Sequence, residues 1–172
     1  MNMCCTIPSP LGALLLAGDG STLTGLWLEG QKYFAATLTG QEQTADLPVF
    51  QETRRWLDDY FAGKVPGKLP PLAPQGSAFR QAVWQLLLEI PRGETTTYGA
   101  LAQMLHARRI SAAPQAVGGA VGHNPISILI PCHRVVGKSG SLTGYAAGIS
   151  VKEKLLTLEG VDLGKFHAPK QT

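Results

Sequence analysis

Short apolar runs separated by turn residues open the chain. MCCTIPS, GALLLAG and LTGLWLE, punctuated by PLG and GDGS, predict an antiparallel meander. The period then lengthens. From near Asp46, with Pro48 in the first turn, the pairs Val49/Phe50, Trp56/Leu57 and Tyr60/Phe61 recur on one helical face that ends at Gly63. A small α+β unit results. The stretch KVPGKLPPLAPQGS, Lys64 to Ser77, has the composition of a semi-rigid connector. A boundary there gives an N-terminal domain over 1–70, a linker over 71–76 and a C-terminal domain over 77–172.

Beyond the connector the pattern is mostly helical. Ser77 caps a predicted helix whose Phe79, Val83, Trp84, Leu87 and Ile90 form an apolar stripe, stopped at Pro91. TTTYGALAQML places threonine caps before a second helix, Tyr98 to Leu105, and HARRIS connects it to a third from about Pro114 to Gly122. Two short helices so joined suggest a helix-turn-helix. The third carries Ala116, Gly118, Gly119, Ala120 and Gly122, and its glycines cost about 1 kcal/mol each relative to alanine. Close packing against the core is the commoner cause of such a sequence. Approach of the backbone to a large flat ligand such as nucleic acid is the other.

NPISILIP then predicts a turn and a buried strand or extended segment delivering Pro131 and Cys132. GKSGSLTGYAAG follows as a loop suited to lining a site with backbone groups. A last helix is predicted from Ser150, where Glu153 completes a capping box, to Gly160. Glu159 falls in its final turn, where the helix dipole disfavours an acid by about 0.3–1 kcal/mol.

With 172 residues, 44% of them hydrophobic, the chain suffices for a packed core. No apolar run approaches the roughly 20 residues of a membrane span, and no basic region precedes a sustained apolar stretch as in a signal peptide. A cytoplasmic protein is expected. Three cysteines, two of them adjacent, make no disulfide framework. Charge is unevenly spread: residues 1–76 hold five Lys/Arg against seven Asp/Glu, the remainder ten against five. A basic second half suits a polyanionic partner.

Cys132, in ILIPCHRVV, is therefore a metal ligand, a core filler or a nucleophile. Zinc is disfavoured, because adjacent Cys132 and His133 diverge from an extended backbone and no second ligand pair completes four. Filler leaves the polar His133 and Arg134 unexplained. A nucleophile needs thiolate, which is scarce when the thiol pKa is about 8.5. A neighbouring imidazole takes the proton, and a carboxylate fixes that imidazole's tautomer. Cys132, His133 and Glu159 form a candidate relay that leaves cysteine hydrolase and alkyl or acyl acceptor both open.

IPRGETTTYGALA, AVGGAVGHNP and ILIPCHRVVGKSGSLTGYAAGISVKEKLLTLEG, with the opening SPLGALLLAG, together resemble the O6-alkylguanine-DNA alkyltransferases, also called methylated-DNA–protein-cysteine methyltransferases. The resemblance implies an RNase H-like N-terminal domain and a winged-helix-like C-terminal domain that reads the minor groove through its helix-turn-helix. It implies base flipping and irreversible transfer of one alkyl group from O6-alkylguanine, and from O4-alkylthymine, to Cys132. By the same resemblance His133 takes the thiol proton through a water, Glu159 polarises His133, and Asn124 braces the turn. Tyr98 meets the flipped base and protonates it as it leaves. The carbonyls of Cys132 and Val135 and the amide of Ala146 bind the base, and Tyr145 walls the pocket. Tyr98, Gln115, Ala116 and Gly119 face DNA, and Arg134 anchors structure between the domains. No metal and no cofactor is expected, and the partner is duplex DNA carrying O6-alkylguanine, bound by a monomer.

Three departures qualify the resemblance. Gln115 stands where the family carries an intercalating arginine, so weaker and more salt-tolerant DNA binding is expected. The connection MLHARRISAAP is longer than usual, which makes Arg108 or Arg109 a candidate to compensate. Asp19 lies where some members have a zinc-binding cysteine. The alternative from another class is a non-enzymatic sensor of alkylated DNA, although such proteins lack the cysteine that this chain retains.

Overall fold

The structure, a computed structural model, describes residues 2–167, so the expected domain limits Met1 and Thr172 lie outside the described residues. Two compact units are present. One comprises the chain up to Gln75 together with Pro125–Leu129; the other comprises Gly76–Asn124 and the chain from Ile130 onward. The units therefore differ from a single cut in the connector, since five residues from deep in the second half belong to the first.

In the first unit β1 (Met3–Ile7), β2 (Leu14–Gly18) and β3 (Leu23–Leu28) form the expected antiparallel meander, with Leu16 opposite both Cys5 and Leu26. A two-residue strand β4 (Gln43–Thr44) adds in parallel beside β1, giving the order β3-β2-β1-β4. Both its residues are exposed, so no hydrophobic alternation marks it. Helix α1 (Pro48–Phe61) packs on β2 with Val49, Phe50, Thr53, Leu57 and Tyr60 buried. It starts two residues later than Asp46, because that carboxylate accepts from Arg54 (3.0 Å) instead of capping, and Leu47 takes the cap position.

Residues 125–129 join this unit through β3. The Leu26 N–H donates to Pro125 O (2.8 Å) and the Ser127 N–H to Leu26 O (2.9 Å). The predicted strand or extended segment is corrected here: a single parallel bridge, Leu26 with Ile126, gives way at once to a turn. The Leu129 N–H donates to Ser127 O (2.8 Å) across Ile128, a γ-turn whose central residue has φ +72. A β-branched side chain in that region costs about 1–3 kcal/mol. It is held there because Ser127 is fixed twice, to Leu26 and through its hydroxyl to Gln31 (3.3 Å). An apolar run reads alike for a strand and for such a turn.

In the second unit α2 (Ala78–Leu88) is capped by Ser77, whose hydroxyl accepts from the Arg80 N–H (3.2 Å). Thr97 caps α3 (Tyr98–Ala107) in the same way, accepting from the Ala100 N–H (3.1 Å). Helix α4 (Pro114–Gly122) begins with proline, whose missing N–H would have been unpaired there anyway. The three helices pack pairwise, and the Trp84 indole N–H donates to Ala120 O (2.8 Å). Helix α3 closes with paired bonds from the Arg109 N–H to His106 O and the Ile110 N–H to Leu105 O (both 2.9 Å). In this closure the residue at φ +64 is Arg109, at a position that usually takes glycine.

Strand β5 (Thr96–Thr97) pairs in parallel with β6 (Val135–Val136), bringing the start of α3 beside the chain that follows Cys132. Helix α5 (Ile149–Leu158) starts earlier than predicted, and the Ser150–Glu153 capping box does not form. A turn in which the Gly148 N–H donates to Tyr145 O (3.0 Å) makes Gly148, at φ +95, the cap, so Ser150 already lies inside the helix. Val136, Leu142 and Leu156 form a small core under the loop, with Ile149, Val161, Leu163 and Phe166 against it.

Candidate active site

Pro131 (φ −82, ψ 64) forms an inverse γ-turn in which the Cys132 N–H donates to Ile130 O (2.8 Å). Cys132 then opens a 3-10 turn, Cys132–Arg134. The backbone is thus tightly turned and not extended as expected, so divergence of Cys132 and His133 along an extended chain is no ground against zinc. Among the described residues, however, no group of three or more His, Cys, Asp or Glu is placed to hold a metal. Asn124, just beyond α4, donates from Nδ2 to the same Ile130 carbonyl (2.8 Å). One side chain therefore ties the end of α4 to the turn that presents the thiol.

Cys132 is 6% exposed, and burial raises the pKa of its thiol above the ordinary value, opposed by a hydrogen bond from Asn124 and by the charge of Lys152. At neutral pH it is a thiol and not a thiolate. His133 is fully buried, with Nε2 2.5 Å from Glu159 Oε2. A carboxylate only accepts, so the proton sits on Nε2 and the lone pair on Nδ1. Nδ1 is buried and has no hydrogen-bond partner among the described residues. Burial lowers the imidazole pKa, with Glu159 pulling the other way, so the ring is neutral too.

Glu159 caps the C-terminus of α5, where the helix dipole opposes it. Its second oxygen explains its presence: Oε1 accepts from Arg134 Nε (2.7 Å), and Arg134 also donates from Nη1 to Ile90 O (2.6 Å). Arg134 was expected as an anchor between domains. Its observed partners, Glu159 and Ile90, lie in its own unit, where it holds the carboxylate that orients His133.

Tyr98, the first residue of α3, donates its hydroxyl to Thr143 O (3.1 Å). Burial, and then the neighbouring Cys132, raise its pKa, so it stays a proton donor across neutral pH. Gly144, at φ +79, makes room for it, since a Cβ there would lie 2.5 Å from the Tyr98 hydroxyl. Tyr145 is buried edge-on to the His133 ring at 6.5 Å. The neighbouring Ala146 is half-buried, and its N–H has no partner among the described residues. The Cys132 carbonyl accepts from the Val135 N–H, and the Val135 carbonyl from Lys152 Nζ.

Lys152 is the residue that sequence reasoning missed. It is completely buried on α5, bridging Val135 O and Thr143 O (2.9 Å), and burial lowers its pKa to about 8. A signal existed in the pattern: Lys152 falls on the buried stripe with Leu155, Leu156 and Glu159, where a helical lysine is out of place.

On α4, Val117, Ala120 and Val121 are buried while Gln115, Ala116 and Gly119 are exposed. A Cβ built at Gly119 or Gly122 meets nothing within 4 Å, and one at Gly118 only touches the Tyr98 ring at 3.8 Å. Packing within the protein therefore does not require these glycines. Arg108 is engaged in a two-pronged pair with Glu89 (2.9 and 3.0 Å). Cys4 and Cys5 are free, and Cys5 Sγ lies 3.0 Å from Arg54 Nη2.

Residues 2–68 match the ribonuclease-like domain, and residues 78–161 the DNA-binding domain, of 6-O-methylguanine DNA methyltransferase. A methylated-DNA–protein-cysteine methyltransferase of Haemophilus influenzae is 46% identical over 155 residues, covering 90% of this chain and 84% of that protein. One of the same name from Methanosarcina acetivorans is 44% identical, covering 88% and 94%. The crystal structure of the Mycobacterium tuberculosis O6-methylguanine methyltransferase superposes with a TM-score of 0.79 at 45% identity, covering 92% of this chain and 93% of that one. The M. tuberculosis OGT solved in complex with DNA gives 0.78 at 45% identity, covering 90% of each. With both of its domains matched in order and such relatives along nine-tenths of its length, the chain belongs to the 6-O-methylguanine DNA methyltransferase family.

Proposed function

We propose that this protein repairs DNA by direct reversal, taking the alkyl group of O6-alkylguanine, and of O4-alkylthymine, from duplex DNA onto Cys132 as a cytoplasmic monomer. The observation that carries the reading is the buried Nδ1 of His133, the residue next to Cys132 in sequence, which has no hydrogen-bond partner among the described residues and whose tautomer is set by Glu159. That is a base held ready. Cys132 and His133 are both neutral at rest, so the proton leaves sulfur only as the alkyl carbon arrives.

In the transfer, Sγ of Cys132 attacks the alkyl carbon in line with the C–O6 bond. The S–C bond forms as C–O6 breaks, and the electron pair passes to the guanine ring. His133 Nδ1 receives the thiol proton through a water, and Glu159 steadies the resulting imidazolium. Tyr98 gives its hydroxyl proton to the departing base and regains one from His133. The sum is neutral guanine and a neutral thioether, and the protein is consumed. Asn124 positions the turn, Tyr145 walls the base, and the unpartnered Ala146 N–H meets O6, with the Cys132 and Val135 carbonyls facing the exocyclic amine. Ala116 and Gly119 present a face without bulk to the minor groove, with Gln115 at its leading edge.

The test is intact mass after incubation with O6-methylguanine duplex. One methyl increment, absent in Cys132→Ser, is expected. Tight binding of the lesion without any increment would refute transfer and leave the sensor.

A further inference from the structure

Helix α4 carries no ionisable side chain, and α3 carries no lysine or arginine. Yet a helix-turn-helix that docks on DNA draws most of its affinity from cations near phosphates. Gln115 brings none. Between Thr96 and Lys138 the chain holds four Lys/Arg side chains: Arg108, Arg109, Arg134 and Lys138. Two are paired within the chain, Arg108 with Glu89 at the surface and Arg134 with the buried Glu159. The side chains of Arg109 and Lys138 are exposed and have no partner among the described residues.

Their placement is specific. Arg109 sits in the turn between α3 and α4, at φ +64, where glycine would be easier. An arginine at that position with no partner among the described residues gains nothing there from packing or pairing that glycine would lack. Lys138 edges a groove of about 550 Å³ whose other lining residues include Thr97, Tyr98, Gln103, Pro114 and Ser139. No acid lines that groove, and it runs from the proposed base-flipping tyrosine to the first residue of the proposed minor-groove helix.

Resting on the function proposed above, we infer that Arg109 and Lys138 are the phosphate contacts of this helix-turn-helix, binding internucleotide phosphates of the duplex and replacing the charge that Gln115 lacks. Arg108, equally close in sequence, has its charge answered by Glu89 instead.

The experiment is binding of the full-length protein to an undamaged labelled duplex over a salt series. Arg109→Gly and Lys138→Gln should each reduce the slope of log K against log salt by about 1, and the double variant by about 2. Arg109→Lys and Lys138→Arg should keep the slope, and Arg108→Gln should leave it unchanged. Loss of affinity should be equal on damaged and undamaged duplexes. Arg109→Gly should also melt higher than the wild type, because it relieves the left-handed backbone, so weaker binding cannot be assigned to misfolding. Transfer from the free O6-alkylguanine base should be unchanged in every variant. Unchanged slopes in Arg109→Gly and Lys138→Gln, or a fall in Arg108→Gln as large as theirs, overturn the inference. A wild-type protein that takes up no methyl overturns the function proposed above instead.

Discussion

Replacing Gly119 with alanine separates two accounts of α4 by the sign of the effect. If the glycines serve packing, a methyl group there must displace a neighbour and destabilise the fold. The structure offers no such neighbour, since a Cβ at Gly119 meets nothing within 4 Å. The remaining contribution is helix propensity, so Gly119→Ala should stabilise the protein by about 1 kcal/mol. For a chain of this size that is a rise of about 2–4 °C in melting temperature. Gly144→Ala supplies the contrast, because its methyl would fall 2.5 Å from the Tyr98 hydroxyl and at φ +79, and it should melt lower. Gly119 also lies on the exposed face with Gln115 and Ala116, so added bulk should obstruct a duplex while leaving the fold intact. Gly119→Met, a good helix former, should bind labelled duplex at least about tenfold more weakly, equivalent to about 1.4 kcal/mol. Thermal denaturation and fluorescence anisotropy measure the two effects on the same samples. A lower melting temperature for Gly119→Ala would restore the packing account. Wild-type affinity in Gly119→Met would show that this face does not approach DNA.

Three further outcomes follow from the site. Glu159→Gln leaves Arg134 without its carboxylate and His133 without a fixed tautomer; urea unfolding should show a loss of about 3–5 kcal/mol and single-turnover assays a fall in methyl transfer of about 10²-fold or more. Lys152 holds a charge whose pKa falls from 10.5 to about 8, which opposes folding by about 3 kcal/mol. Lys152→Met should therefore match or exceed wild-type stability while losing most of the transfer rate, and a large loss of stability would contradict this account. Burial holds His133 below its ordinary value of 6.5, so Nδ1 stays a base to lower pH than an exposed imidazole does, and the acid limb of the transfer rate should lie below 6.5. The same shift carries a cost in stability: below 6.5 the unfolded chain takes up a proton that the folded chain refuses, so stability declines as pH falls through that window. Denaturation of His133→Gln should lack that part of the decline.

The α+β division, the meander and the helix order were legible because each rests on a periodicity or a cap that one residue can signal. Ser77 and Thr97 cap where the sequence places them. Ser150 does not, because a glycine turn supplied by Tyr145–Gly148 sets the helix start first, and a capping box is only one of several ways to begin a helix. The segment around Ile128 was misread for a different reason. Its left-handed γ-turn contradicts the local preference of a β-branched residue and exists only because Ser127 and Leu26 are bonded to each other. In the site, Cys132, His133 and Glu159 were conspicuous as polar groups in an apolar or dipole-opposed setting. Lys152 was hidden because its partners are backbone carbonyls, which any sequence provides. Choosing between Arg108 and Arg109 likewise needed Glu89 to be seen across from one of them.

The buried neutral thiol bears on the lifetime of an unused molecule. A protein that reacts once is a stored reagent, and it must still be intact when a lesion finally reaches it. Peroxides and soluble electrophiles attack cysteine mainly through the thiolate. Cys132 is 6% exposed and held in its protonated form, so it presents almost no thiolate to such agents during the wait. Cys4 and Cys5 on β1 are only partly buried and so are more accessible to such agents. The burial that slows ionisation at the site thus also sets a shelf life, and selection on a single-use protein acts on its survival before the reaction as well as on its rate.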